Sequence, residues 1–288
     1  GLVIALGFAM PLSEAVLIGA VMMFSSTIIG IKLLPTTTLH HRHTGQIIIS
    51  VLLLQDVVAI IVLLLLQGYG KGGNLAGNII IHLVALPLLL LFSWLLQRFL
   101  LMRLIIKFDQ IHEYIFLVAI AWCMTIAELA VALGLSREIG AFLAGVTLAS
   151  SPITFLITEK LKPLRDFFLI LFFFSLGALF DMSVLPDIII PALVLAAAVL
   201  LLKPLLFKMI FIRAGKNEKT SQEVGFRLGQ ISEFSFLIAV LAVSSGYLQE
   251  QTSYLIQLTT LLTFLVSSYL IVKKYPTPIS TDEKLRRD

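Results

Sequence analysis

The stretch "LLLQDVVAIIVLLLL", residues 52–66, sets one carboxylate, Asp56, inside a run that is otherwise almost pure hydrocarbon. Three and four positions away along a helix lie Leu52, Leu53, Ala59 and Ile60, none of which can take up a proton or pair with a charge. A partner for Asp56 therefore has to come from another helix. The apolar run around it extends over about residues 45–67, a length that crosses a bilayer as a helix. The whole chain repeats the pattern. Its 288 residues are 59% hydrophobic and 13% charged, with a mean hydropathy of +1.02. Soluble domains are about a quarter charged, so composition assigns an integral, multi-pass membrane protein. Apolar blocks of about 18–25 residues speak for helices, since membrane-spanning strands alternate over about 10.

The expected fold is all-α, a polytopic transmembrane helix bundle. Runs and breakers place helices near 11–34, 45–67, 77–100, 111–133, 136–151, 164–181, 187–212, 222–246 and 252–273, with residues 1–9 as the tail of an earlier span. Gly1 follows no charged leader, so the sequence reads as an internal start with its first helices missing. Lys and Arg sort by side. Arg42, Arg98, Arg103, Lys107, Lys160, Lys162, Arg165, Arg213, Lys216, Lys219 and the tail after Lys273 fall in one set of connections, and only Lys71 and Arg137 in the other. The basic side is cytoplasmic, which puts the C-terminus inside, in a plasma membrane of the bacterial inner-membrane type. The chain divides into a transmembrane domain, residues 1–273, and a charged cytoplasmic tail, residues 274–288. A net charge of +4 carried between apolar blocks gives no reason to expect nucleic acid. The lone cysteine, Cys123, excludes an intrachain disulfide and a cysteine-rich metal site.

Charges inside the bilayer cost several kcal/mol each, about 2.5–3.5 on insertion scales, so each needs a partner or a watered pocket. Asp56 lies ten residues past Gln46, about 15 Å along its helix. Lys203 lies ten residues before Arg213 in a span that ends on the same side, at matching depth. Two readings stay open: a structural salt bridge, or a carboxylate that alternates between a proton and a cation while Lys203 competes for it. Glu233 joins Gln230, Ile231 and Ser232 in a polar cluster. Glu128 sits late in its span, and Lys32, Lys208 and Arg227 have the reach to snorkel to the cytoplasmic surface.

Two apolar segments are interrupted. "MMFSSTIIGIKLLP" (22–35) carries Ser25, Ser26, Thr27 and Gly30; "GFRLGQISEFSF" (225–236) carries Gly229, Gln230, Ser232 and Glu233. Hydroxyls compete for backbone groups and glycine weakens a helix, so both are expected unwound points. Their places in oppositely oriented halves suggest inverted repeats around a midplane ion site.

Four motifs in order resemble the monovalent cation:proton antiporter-2 family, most closely its Kef-type potassium/proton branch: SST at 25–27, Gln55–Asp56 within LLLQD, GLSREIGAFLAGVTLASS at 134–151 and GQISEFSF at 229–236. The resemblance implies the sodium/proton-antiporter-like fold with two discontinuous crossing helices, a core that moves against a dimerisation domain, and a homodimer when full length. It implies a site built from Asp56, Gln55, Ser25, Ser26, Thr27, Lys203, Ser232 and Glu233, with K+ or Na+ and H+ as the exchanged partners. One carboxylate in Gln55–Asp56, where electrogenic relatives have two, implies one-for-one exchange. The alternative is a non-transporting sensor or assembly subunit on the same fold.

No cofactor is called for, since no phosphate-binding loop, catalytic triad or haem motif is present. An intramembrane protease would need a second aspartate at transmembrane depth, so the chain does not read as an enzyme. "LHHRH" (39–43) reads as a solvated loop, and "FFLILFFFSLGALF" (167–180) as packing or lipid contact. The tail "STDEKLRRD" has no GxGxxG fingerprint.

Overall fold

The computed structural model describes residues 1–35, 43–70, 75–107, 112–149, 151, 154–280 and 285, and its elements are helices. In chain order they are α1 (Leu2–Gly7), α2 (Leu12–Val21), α3 (Thr27–Lys32), α4 (His43–Gly70), α5 (Leu75–Leu96), α6 (Met102–Lys107), α7 (His112–Ala132), α8 (Arg137–Ala149), α9 (Thr154–Ala178), α10 (Leu185–Arg213), α11 (Glu218–Arg227), α12 (Phe234–Ser244) and α13 (Glu250–Lys274). A π-turn, Gln97–Leu101, carries α5 into α6. The stretches Thr44–Leu66, Val84–Leu104, Tyr114–Ala132, Met182–Arg213 and Glu250–Lys274 are long and apolar enough to cross a membrane.

Both expected interruptions are real. The segment near 11–34 is α2 and α3 separated by residues 22–26, and the segment near 222–246 is α11 and α12 separated by residues 228–233. Ser26 ends the first gap by capping α3, its hydroxyl accepting from the Ile29 N–H at 3.2 Å. Asn217 opens α11 in the same way, accepting from Thr220 at 2.7 Å.

One boundary is corrected. α9 starts at Thr154, ten residues before the apolar run near 164. Its first turns carry Glu159, Lys160, Lys162 and Arg165, which a hydropathy reading takes for a loop. Pro163 inside it removes the bond to the Glu159 carbonyl, tolerable because that turn is exposed.

The chain forms two compact units, residues 1–66 with 181–288, and residues 67–180. In the second, α7 packs along α8. A Cβ at Gly140 would sit 2.6 Å from the Ala127 Cα, so only glycine permits that approach. Trp122 donates to the Ala144 carbonyl across the same contact at 3.2 Å. In the first unit, α10 packs on α11 and α13. A Cβ at Gly225 would meet the Pro204 carbonyl oxygen at 2.5 Å, so glycine lets α11 pass directly over the turn that bears Lys203.

Candidate functional site

The two gaps lie against each other in the first unit, and their backbone groups are served mostly by side chains. Within a membrane each unsatisfied N–H or C=O is costly, so irregular backbone survives only where protein or a cavity satisfies it. The Ser25 hydroxyl donates to the Leu228 carbonyl at 2.8 Å, and the Ser235 hydroxyl to the Val21 carbonyl at 2.8 Å. Gln230 donates to the Arg227 carbonyl at 2.9 Å and to the Ser26 carbonyl at 3.4 Å. Its oxygen accepts from Ser267 at 3.0 Å, and Thr263 accepts from the Ile231 N–H at 3.2 Å. The Ser232 hydroxyl accepts from the Phe234 N–H at 3.2 Å, a local turn just before α12.

Gln55 ties the first gap to α4. Its oxygen accepts from the Ser25 N–H at 2.8 Å and its nitrogen donates to the Met23 carbonyl at 3.4 Å. Asp56, the next residue, is 9% exposed, and its carboxylate makes no hydrogen bond or ion pair among the described residues. It lies within electrostatic reach of Glu233. The Glu233 carboxylate faces the Ser26 hydroxyl and the N–H groups of Thr27 and Ile28 at the start of α3. Among the described residues its Oε2 is buried without a hydrogen-bond partner, and so is the Thr27 hydroxyl.

Equal depth suggests an ion pair between Asp56 and Lys203, and the structure corrects this. Lys203 Nζ donates to the Phe24 carbonyl at 2.6 Å and the Gln230 carbonyl at 2.8 Å, one from each gap. No ion pair joins it to Asp56 among the described residues. The physical reason is that two unwound turns present carbonyls with no N–H to meet them, and an ammonium can serve both at once.

Arg227 is a second correction. It has the reach to snorkel to the surface, yet it is fully buried. It pairs with Glu223 at 2.9 Å and donates to the Leu33 carbonyl at 2.9 Å and the Pro276 carbonyl at 2.8 Å. Glu14, an intramembrane charge that the sequence puts near the end of its span, is buried and accepts from the Gln249 N–H at 3.2 Å and from the Thr252 hydroxyl. The hydroxyls of α13 were a readable signal: Thr260, Thr263 and Ser267 recur at helical spacing and are buried. Glu128 pairs with Arg137 at 2.8 Å on an exposed face of the second unit. Most of "LHHRH" lies outside the described residues, as do the side chain of His43 and much of the tail after Ser280.

The description "sodium/hydrogen exchanger, transmembrane" belongs to the family that matches residues 1–272 of the chain. The chain belongs to this family of exchangers. It is 33% identical over 275 residues to K(+) efflux antiporter 6 of Arabidopsis thaliana, covering 92% of this chain and 45% of that protein. It is 31% identical over 287 residues to K(+) efflux antiporter 4 of the same plant, covering 96% and 48%. The putative K(+) efflux antiporter KefB of Alkalimonas amylolytica is 31% identical over 277 residues, covering 94% and 42%. These relatives place this exchanger-family chain on the Kef-type branch, and it spans about half of their length. Of the four motifs, SST, Gln55–Asp56 and GQISEFSF meet in the first unit, while residues 134–151 lie in the second.

Proposed function

We propose that this chain is the membrane domain of a secondary transporter that exchanges a monovalent cation, K+ or Na+, for protons by alternating access. Asp56 is the carboxylate that the two substrates share. One observation carries the reading: Asp56 is buried at the meeting of two unwound helices, and among the described residues no protein group answers its charge. A carboxylate in that position is costly unless it holds a proton or a cation.

The neighbouring oxygens fall into two groups. Ser25, Ser26, Ser232 and Gln55 spend their polar atoms holding the gaps together. The Thr27 hydroxyl and Glu233 Oε2 are uncommitted, and with Asp56 they supply hard oxygens of the kind a dehydrated alkali cation needs. When the cation leaves, a proton neutralises Asp56 and the site can cross the membrane with its charge covered. Lys203 serves this cycle from behind. By neutralising carbonyls of both gaps it keeps the unwound turns in place, leaving the Asp56 charge to the substrates.

K+ is the first choice of cargo because the named relatives are potassium efflux antiporters. The test is transport by the full-length chain in proteoliposomes, with K+, Na+ and Li+ each used to collapse an imposed pH gradient. At least one cation should do so in the wild type, and Asp56→Asn should abolish it. Exchange that persists in Asp56→Asn ends this reading.

A further inference from the structure

The geometry points to Arg227 as a positioning residue that fixes the Ser26–Thr27 end of the candidate site to the segment after α13, residues 275–280. The inference rests on the transport reading above and adds a path by which a segment outside the membrane helices sets cation affinity.

α3 is only one and a half turns long, so its two ends must be held from outside. At its start, the Ser26 hydroxyl and the N–H groups of Thr27 and Ile28 face Glu233. At its end, the Leu33 carbonyl has no helical partner and is met by Arg227 Nη1. The other arm of the same guanidinium holds the Pro276 carbonyl. A planar fork binds both at fixed spacing, so a displacement of one is felt by the other.

The segment 275–280 is docked. Thr277 is fully buried, its N–H donates to the Leu285 carbonyl at 3.0 Å, and the Ser280 hydroxyl reaches the Val272 carbonyl at 3.3 Å. The Tyr275 ring lies 5.7 Å from the Arg227 guanidinium and 5.9 Å from the Phe226 ring. The docking is nevertheless incomplete in its polar accounting, for among the described residues the hydroxyls of Tyr275 and Thr277 are buried without partners. Water would satisfy both on release, which makes undocking a cheap motion compared with unwinding a membrane helix. Glu223 completes the cluster, holding the guanidinium's Nε so that both Nη arms stay aimed at the carbonyls.

The test uses the full-length chain in proteoliposomes and four variants. Arg227→Gln removes the fork, and Arg227→Lys keeps the charge but loses the guanidinium's fixed geometry. Thr277→Lys forces a charge into a fully buried position and expels the segment without touching α3. The fourth variant combines Arg227→Gln with Thr277→Lys. Arg227→Gln and Thr277→Lys should each raise the KM for the cation about fivefold, with the maximal rate near wild type; the thermal midpoint should fall in Arg227→Gln, which strands two carbonyls and Glu223, and stay near wild type in Thr277→Lys. Arg227→Lys should fall between, and the double variant should be no worse than the worse single, since both act through one path. A KM unchanged in Thr277→Lys, or additive effects in the double variant, overturns the inference. Thr277→Lys decides the matter alone where Arg227→Gln yields no folded protein. Absence of any cation-driven flux in the wild type would instead overturn the transport reading, so the two failures are distinguishable.

Discussion

The two gaps solve one problem by different means. Residues 22–26 bring almost no polar reach of their own beyond the hydroxyls of Ser25 and Ser26. Their backbone is served by Gln55 from α4, Lys203 from α10 and Gln230 from the other gap. Residues 228–233 carry Gln230, Ser232 and Glu233 within the gap, and Arg227 just before it. The first gap is a receiver and the second a supplier. The asymmetry teaches that two hydroxyls suffice at an opening in a membrane helix when longer polar side chains reach it from elsewhere.

Lys203→Met strikes both gaps at once and should cost most. Two buried carbonyls lose their donor, which is worth about 2–5 kcal/mol in total, read as a fall in the thermal midpoint of the purified protein. A midpoint near wild type would mean that the ammonium is not what holds the gaps together. Gln230→Leu comes next and sharpens the contrast. It removes donors to Ser26 and Arg227 and strands the Ser267 hydroxyl, for about 2–3 kcal/mol, more than any single change among residues 22–26. Ser25→Ala and Ser235→Ala each delete one bond between the segments, and each should cost about 0.6–1.7 kcal/mol. If Ser25→Ala proves the costlier by far, the receiver and supplier roles are reversed.

The smallest effect lies outside the gaps. The Lys208 ammonium bonds to Glu218 at 2.7 Å and holds that exposed carboxyl below its ordinary value of 4.5. The pair therefore contributes at neutral pH, and its contribution fades as pH falls below about 4.5. Glu218→Gln should leave the thermal midpoint at pH 7 almost unchanged, and should erase what little acid sensitivity the pair confers.

Much of this was legible in the sequence for identifiable reasons. Hydroxyls and glycine inside apolar runs marked both gaps, because those residue types lower the cost of unwinding whatever surrounds them. Asp56 was legible because nothing on its own helix could answer it. The partners of Lys203 were not, since depth along a helix says nothing of which face meets which neighbour. Arg227 was misread for a related reason. A long basic side chain near a span end has the reach to snorkel, and only the fold shows that Leu33 and Pro276 bring carbonyls to it first. The early start of α9 was hidden by its charges, which hydropathy counts against a helix although an exposed helix carries them well.

The central claim is that a proton and an alkali cation compete for Asp56 where the two gaps meet. The most direct test follows proton release when K+ or Na+ is added to the full-length protein in weakly buffered detergent solution with a pH indicator. Wild type should release protons in a saturable way as the cation is raised, and Asp56→Asn should release none. Equal release from both proteins, or none from a wild type that demonstrably binds the cation, would contradict the account.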